Sequence, residues 1–304
     1  MKDAGELIDQ SEPEEKVLTL WHTIRNEIIQ SKPALISLIL LLIIILTAFS
    51  VRLFIDEEAA RRIDLHALDI PPGGLSGGIL GTDHGGRDMF IMLLLSARTS
   101  FILTFWVTFI TVVWGVLYGL FSGYYGGHVD NIMMRFIDLI VMLPTLMTVI
   151  FIIAMIPFRG TWQFVLVLSA FNWADRARLI RSKVMHQASL DYVSASKTLG
   201  SRGPVIIFRD IFPNILSLVL TNATLSLAYN MGIETGLTIL GYGMHYTTPS
   251  LGIYIGLARD TVVLMFRPWQ WLPPAILITI MILCIYIIGN AISRAVDPKQ
   301  QLQK

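Results

Sequence analysis

At 304 residues, with 54% hydrophobic side chains, 15% charged and a mean hydropathy of +0.64, the chain is too apolar for a soluble domain of its size, since such domains carry about a quarter charged residues. The formal net charge of +1 offers no basic footprint for nucleic acid. The single cysteine, Cys284, excludes an internal disulfide framework or a cysteine-based metal site.

The N-terminus is acidic (Glu12, Glu14, Glu15) and lacks the pattern of a cleavable signal. From 14 to 30, Val17, Leu18, Leu20, Trp21, Ile24 and Ile28 recur at helical spacing, and Pro33 ends the run. An amphipathic helix with a Trp just ahead of a membrane span reads as one lying in the inner interface; the plainer alternative is an acidic tail with helical propensity. Residues 1–33 form this first unit, and 34–95 the first span with its external segment. The stretch 56–95 breaks at Pro71, Pro72, Gly73 and Gly74 and is expected to be irregular there.

A bilayer core needs about 20 apolar residues per helix. Runs at 34–51 (with Leu53 and Phe54), 99–127, 139–158, 211–233 and 268–293 come near or exceed that. The run 161–174 is shorter, and Leu179 and Ile180 extend it while the neighbouring arginines snorkel. The expectation is an all-α membrane protein of six transmembrane helices, with a core over 96–296 and a short tail at 297–304. Lys and Arg number fifteen on the side carrying both termini and eight on the other, which places both termini in the cytoplasm.

Within the second span Gly115, Gly119 and Gly123 stand at i, i+4 and i+8, a ladder that admits a close helix. Pro144 in the third span and Pro273 and Pro274 near the start of the sixth are candidate kinks, although membrane helices tolerate Pro generally. Arg135 and Asp138, three apart, suit a pair on one helix face. Glu234 closes an uncharged run and is expected at the outer mouth, with Met231 one turn before it. There it meets substrate as part of a path or gate, pairs with an outer arginine, or is solvated. The six histidines include no i, i+4 metal pair. Asp83, His84 and Asp88 form a small cluster best read as a turn with Thr82 or Asp83 capping a helix. No phosphate-binding G-x-x-x-x-G-K-[ST] occurs, so ATP chemistry is not expected in this chain, and no catalytic, cofactor or metal residues are assigned.

The most informative stretch is 175–210, a polar segment with seven Lys/Arg (176, 178, 181, 183, 197, 202, 209) set between apolar runs. A connector this long, with helical patterning of its own, reads as a cytoplasmic docking surface. Asp191 is placed as the N-cap of a short helix, and Gly200 suits its left-handed stop. Tyr192, Val193, Ala195, Ser196 and Leu199 then offer a small, partly apolar contact face.

These residues resemble the coupling loop of permease subunits of ABC importers, roughly Glu-Ala-Ala, three residues, Gly and a later Pro. Here the pattern is carried by Ser194, Ala195, Ser196, Gly200 and Pro213. The segment 80–90 running on to 97–100 is similar to the C-type permeases of the dipeptide, oligopeptide and nickel branch. So are 124–127, Glu234 with 240–243, 248–252, Pro268 with Trp269, and Asp297 with Pro298; the likeness covers about 15–300. One position departs: Ser194 stands where the family has Glu. Counted from Asp191 as N-cap it is N3, where Glu would complete a capping box, so the helix start is looser or held by the partner.

The resemblance implies a type I-like permease in a bacterial or archaeal cell membrane, beside a homologous B-type permease. It also implies two ABC ATPases, which hold the ATP and Mg, and an extracytoplasmic solute-binding protein. Peptides are the substrate implied, with nickel or a metal chelate as the alternative inside the family. A secondary transporter or channel without ATPases is the reading from another class; its usual internal repeats are not seen.

Overall fold

A computed structural model of the chain describes residues 13–74, 78–156, 160–245 and 248–296, with side chains from 21 onward. Asp297 and Pro298, the tail 297–304 and the start of the 1–33 unit lie outside the described residues. Helices dominate, and among the described residues the only β pairing is an isolated bridge between Thr82 and Asp88.

Helix α1 (Pro13–Gln30) stops at Ser31, and α2 (Lys32–Phe54) begins with Pro33 in its first turn, where a missing N–H costs nothing. Far from being an unattached tail, α1 packs on the C-terminal helix, with Ile24 buried and Glu27 paired to Arg294 at 3.4 Å. A four-residue helix, α3 (Glu57–Ala60), opens the segment that leads to the next long helix. Then α4 (Met89–Tyr125) runs for 37 residues. Its cap is Asp88, whose Oδ1 accepts from the Phe90 and Ile91 amides at 2.8 and 3.3 Å. The expected caps, Thr82 and Asp83, are spent elsewhere, as described below.

The expected third span is two helices, α5 (Gly127–Met142) and α6 (Thr145–Met155), bent by 75°. Pro144 has no N–H and biases Leu143 away from helical backbone, which gives the break a local cause. Next, α7 (Thr161–Asn172) has 12 residues, about 18 Å of helix against a core of about 30 Å. After Trp173 the chain continues as α8 (Ala174–Ala188). Four described stretches are long and apolar enough to cross a membrane alone, and the bent pair makes a fifth. A count of six therefore rests on α7 extended by the start of α8.

Beyond α8 come α9 (Asp191–Thr198), the three-residue α10 (Gly203–Val205) and a π-helical stretch, Ile206–Ile211, leading into α11 (Phe212–Ile239). Pro213, in the first turn of α11, cannot donate to the residue four before it, and the wider π turn sits where that bond is missing. The chain ends with α12 (Leu251–Gly256), a 3₁₀ turn, α13 (Thr261–Phe266) and α14 (Pro268–Val296). The last helix runs through Pro273 and Pro274 without a break, so these prolines do not open the backbone.

Helices α4 and α11 touch along the middle and divide the core. On one side Ala97, Ala228, Met231, Leu251, Met281 and Ile285 pack together with α2 and α14. Towards the polar segment Leu120, Ile180, Val184, Val193, Ile207 and Ile215 form a second cluster. The glycine ladder makes the tightest seam. A Cβ on Gly119 would lie 2.8 Å from the Ala177 carbonyl oxygen and 2.9 Å from the Arg181 amide nitrogen, and one on Gly123 2.8 Å from the Arg181 carbonyl. Backbone meets backbone there, so only glycine fits.

Candidate functional site: a short helix on a rigid mount and a buried carboxylate

The 175–210 segment is less of a loop than expected. Its first part, α8, lies along the α4 ladder and is fixed by charge at a second edge. Arg181 forms a two-pronged pair with Asp130 of α5, which Ser122 of α4 also bonds, and Arg178 reaches Asp138 at 2.6 Å. Arg135 adds a 3.8 Å contact to Asp138, the expected pair on one face, from an almost fully exposed position. A bidentate guanidinium–carboxylate contact fixes orientation as well as distance, so α8 is a rigid mount.

On that mount sits α9, whose two faces differ. Val193 is fully buried in the second cluster, a burial that contributes about 1.5–3 kcal/mol. Tyr192 packs beside it, donates to Gln187 Oε1 at 2.8 Å and lies 3.5 Å from the Asn214 amide. Burial, with the Asp210 carboxylate nearby, pushes its phenol above the ordinary range despite the Asn214 bond, so it remains a donor. Tyr192 and Val193 thus hold α9 to its own chain and are not on the contact face, a correction to the expectation. Ser196 is half-buried. The free face carries Asp191, Ser194, Ala195, Thr198 and Leu199, at i, i+3, i+4, i+7 and i+8, with Leu199 86% exposed.

The helix ends are set by backbone geometry. Leu190, not Asp191, is the N-cap, and no side chain caps it. Asp191 is therefore N1, Ser194 falls at N4, and the capping-box argument for position 194 does not apply. At the other end Gly200 has φ +82°, and the amides of Gly200 and Ser201 close on the carbonyls of Lys197 and Ser196 at 3.0 and 3.1 Å. This is a Schellman stop, as Gly200 predicts. Lys197 lays its ammonium over the Tyr124 ring at 5.1 Å, a further tie to α4.

Glu234 and Met231 lie inside the protein, both almost wholly buried. The Glu234 carboxylate accepts from Thr238 at 3.2 Å and Thr235 at 3.3 Å, and from Ser100 of α4. Ser100 in turn accepts from the Leu251 amide at 3.2 Å, which brings in α12. The side chain is neither solvated nor paired with an arginine among the described residues. One turn away Asn230 donates to Thr108 of α4 at 2.9 Å. Sequence reasoning missed Asn230 and Ser100, although Asn230 stands four residues before Glu234 and shares its face.

The segment between α2 and α4 is organised by a second buried carboxylate. Asp83 accepts from the amides of Gly85 and Arg87 at 2.8 and 3.0 Å, pairs with the Arg87 guanidinium at 2.7 Å, and receives the Tyr254 hydroxyl at 3.2 Å. Burial and the Asp83 charge push the Tyr254 phenol upward. Thr82 uses its hydroxyl on Ala67 and Ile70, and its carbonyl accepts from Trp269 at 3.2 Å. Asp69 joins Arg267 and Gln270, each at 2.8 Å. The Asp83, His84 and Asp88 cluster is thus a structural clasp, and no metal-binding group of three occurs among the described residues.

Three relatives extend across nearly all of this architecture. The oligopeptide transport system permease protein OppC of Lactococcus lactis subsp. lactis (strain IL1403) is 41% identical over 284 residues, covering 93% of this chain and 96% of that protein. OppC of Bacillus subtilis (strain 168) is 30% identical over 292 residues, 96% and 93% of the two chains. The dipeptide transport system permease protein DppC of the same organism is 30% identical over 271 residues, 89% and 83%. Residues 115–301, from the glycine ladder through α9 to beyond α14, match the family described as binding-protein-dependent transport system inner membrane component. This chain, a multi-pass helical membrane protein, belongs to that family of transport permeases.

Proposed function

We propose that the chain is one of two membrane subunits of an ATP-driven importer of peptides, and that α9 is the element on which a cytoplasmic ATPase acts. The carrying observation is the 41% identity to an oligopeptide permease over 93% of the chain. The free face of α9, rigidly mounted and turned outward, supports the coupling role. The partners are a homologous B-type permease, two ABC ATPases that supply ATP and Mg chemistry, and a solute-binding protein on the outer side. The excess of Lys and Arg supports both termini being cytoplasmic, with α9 on the same side and the Asp83 clasp outside. ATP closing its own subunits favours one state of the permeases, and α9 passes that bias through α8 to the α4 seam.

The test is ATP hydrolysis by the reconstituted complex, with and without loaded binding protein. Ala195→Trp puts a bulky group on the free face without touching the core. Stimulation and peptide uptake are expected to fall while the ATPases keep nucleotide binding. Full stimulation in this variant would place force transmission elsewhere.

A further inference from the structure

Two faces of α11 have opposite fates. Asn230 and Glu234 turn into the protein, whereas Tyr229, 59% exposed, and Ile233 line a cavity of ≈ 90 Å³. Its other walls are the α5–α6 bend and the α7–α8 junction, including Asn172 and Asp175. The exposed carboxylate of Asp175 forms no ion pair within 4 Å among the described residues. Its neighbour Arg176 bonds through Nε to Ser226 at 2.8 Å and through Nη1 to the Asn172 carbonyl, while its charge still interacts with Asp175 and Tyr229 at longer range.

A carboxylate and a phenol beside membrane-crossing helices do not face hydrocarbon, where a charge costs several kcal/mol, about 3 on insertion scales. The contrast with α2 is direct, because its exposed Ile36, Ile39, Ile43 and Leu46 are all aliphatic. A broken helix gives the same message independently. Backbone interrupted at membrane depth persists only inside protein or along a water-filled cavity, and the 75° break at Leu143 and Pro144 borders this one. The last turn of α5 brings the negative end of its helix dipole beside Asp175. Flanking the bend, Met142 and Met147 are 79% and 72% exposed, and flexible thioethers suit a surface that must accept varied side chains.

We infer that this cavity is a subsite of the translocation path that receives the amino-terminal end of a peptide. Asp175 takes the ammonium group, with the α5 carbonyls as further acceptors. Tyr229 and Asn172 meet main-chain amides, and Met142 and Met147, on the exposed surface beside the cavity rather than in its lining, accommodate side chains. The inference rests on the peptide-importer reading above.

Uptake of a labelled pentapeptide with a free amino terminus into proteoliposomes holding the whole complex tests both separately. Asp175→Asn is expected to lower uptake about tenfold, the loss of one charged hydrogen-bond contact, and Asp175→Glu to keep most of it. In parallel, Met147→Cys in a Cys284→Ser background should cross-link to a bromoacetyl-bearing pentapeptide only when ATP turns over, whereas Leu46→Cys should not. No uptake by the unaltered complex would overturn the peptide reading itself. Uptake by the unaltered complex with equal uptake by Asp175→Asn, or with no cross-link at 147, would overturn the subsite alone. If Asp175→Asn does not assemble, the cross-link decides.

Discussion

The Asp83 clasp and α9 are finished differently. In the clasp every acidic group at the centre is answered from within the chain: Asp83 by Arg87, Tyr254 and two amides, Asp69 by Arg267 and Gln270. In α9 only the inner face is answered, by Val193 in the core and Tyr192 on Gln187. The outer face ends in a nearly bare Leu199. A buried polar site without its partners is costly, and the clasp meets its carboxylates from within the chain while leaving the Gln270 Oε1 without a partner. An exposed apolar side chain on a rigid mount is tolerated at little cost, and in the proposed complex it is free to meet a second surface. The difference separates what holds this subunit together from what it offers to others.

The comparison is broken most severely by removing the mount on which α9 stands. Gly119→Leu drives a side chain into the Ala177 carbonyl and the Arg181 amide. Overpacking costs about 1–3 kcal/mol, and forcing Arg181 off Asp130 adds about 3–5 kcal/mol for a broken buried pair. The expected outcome is loss of assembled complex, read by size-exclusion chromatography of the purified membrane fraction. Next comes the clasp itself. Asp83→Ala strands the Arg87 guanidinium and should cost about 3–5 kcal/mol, seen as a lower melting temperature of the solubilised complex. Restoring part of that loss with Arg87→Met in the same chain would show that the stranded charge is the cause. Third is the inner face of α9. Val193→Ala should cost about 2 kcal/mol and loosen α9, measured as faster amide exchange over 191–199.

Much of this was legible in the residues. The glycine ladder predicted a close helix because three glycines on one face have no other use, and Gly200 predicted its own left-handed stop. Charged residues among apolar runs marked 175–210, but their number did not tell which were already spent. Arg178 and Arg181 find Asp138 and Asp130 some 40 and 51 residues away, a pairing that no local pattern encodes. For the same reason Tyr192 and Val193 looked like contact residues: over eight residues, helical spacing defines faces without saying which one the chain itself buries. Glu234 was placed at a mouth because its run of apolar neighbours ends there, yet its hydroxyl partner Ser100 comes from another helix. The cap misread at Thr82 and Asp83 has a similar origin, since Asp88 lies five residues later in the same acidic turn.

A smaller effect sharpens the distinction between the stop of α9 and its surface. Gly200 has open space around it, so Gly200→Val clashes with nothing. Its cost comes from φ +82° alone, about 1–2 kcal/mol for a side chain in the left-handed region. Transport should fall through misplacement of Leu199 and the end of the helix. Gly200→Asn, which tolerates that backbone better, should keep more transport than the valine variant. Equal losses in both would point to the residue's surface rather than its backbone.

The smallest expected change in stability falls at Leu199, and there the clasp and α9 part most clearly. Its side chain is almost bare and contributes little to the fold, so Leu199→Ser should leave the melting temperature within the range of about 0.5 kcal/mol typical of surface changes. If α9 is the coupling helix, the same substitution removes the largest apolar group from its free face. Loaded binding protein should then stimulate ATP hydrolysis less, with nucleotide affinity unchanged. Val193→Ala gives the reverse pattern in stability, a measurable loss of melting temperature, because that side chain belongs to the core. Two substitutions six residues apart on one short helix therefore separate holding from transmitting. Melting curves and stimulated ATPase rates, taken on the same preparations, read the two quantities independently. A full ATPase response in Leu199→Ser would remove the apolar tip of α9 from the contact and leave Ala195 and Ser194 to carry it.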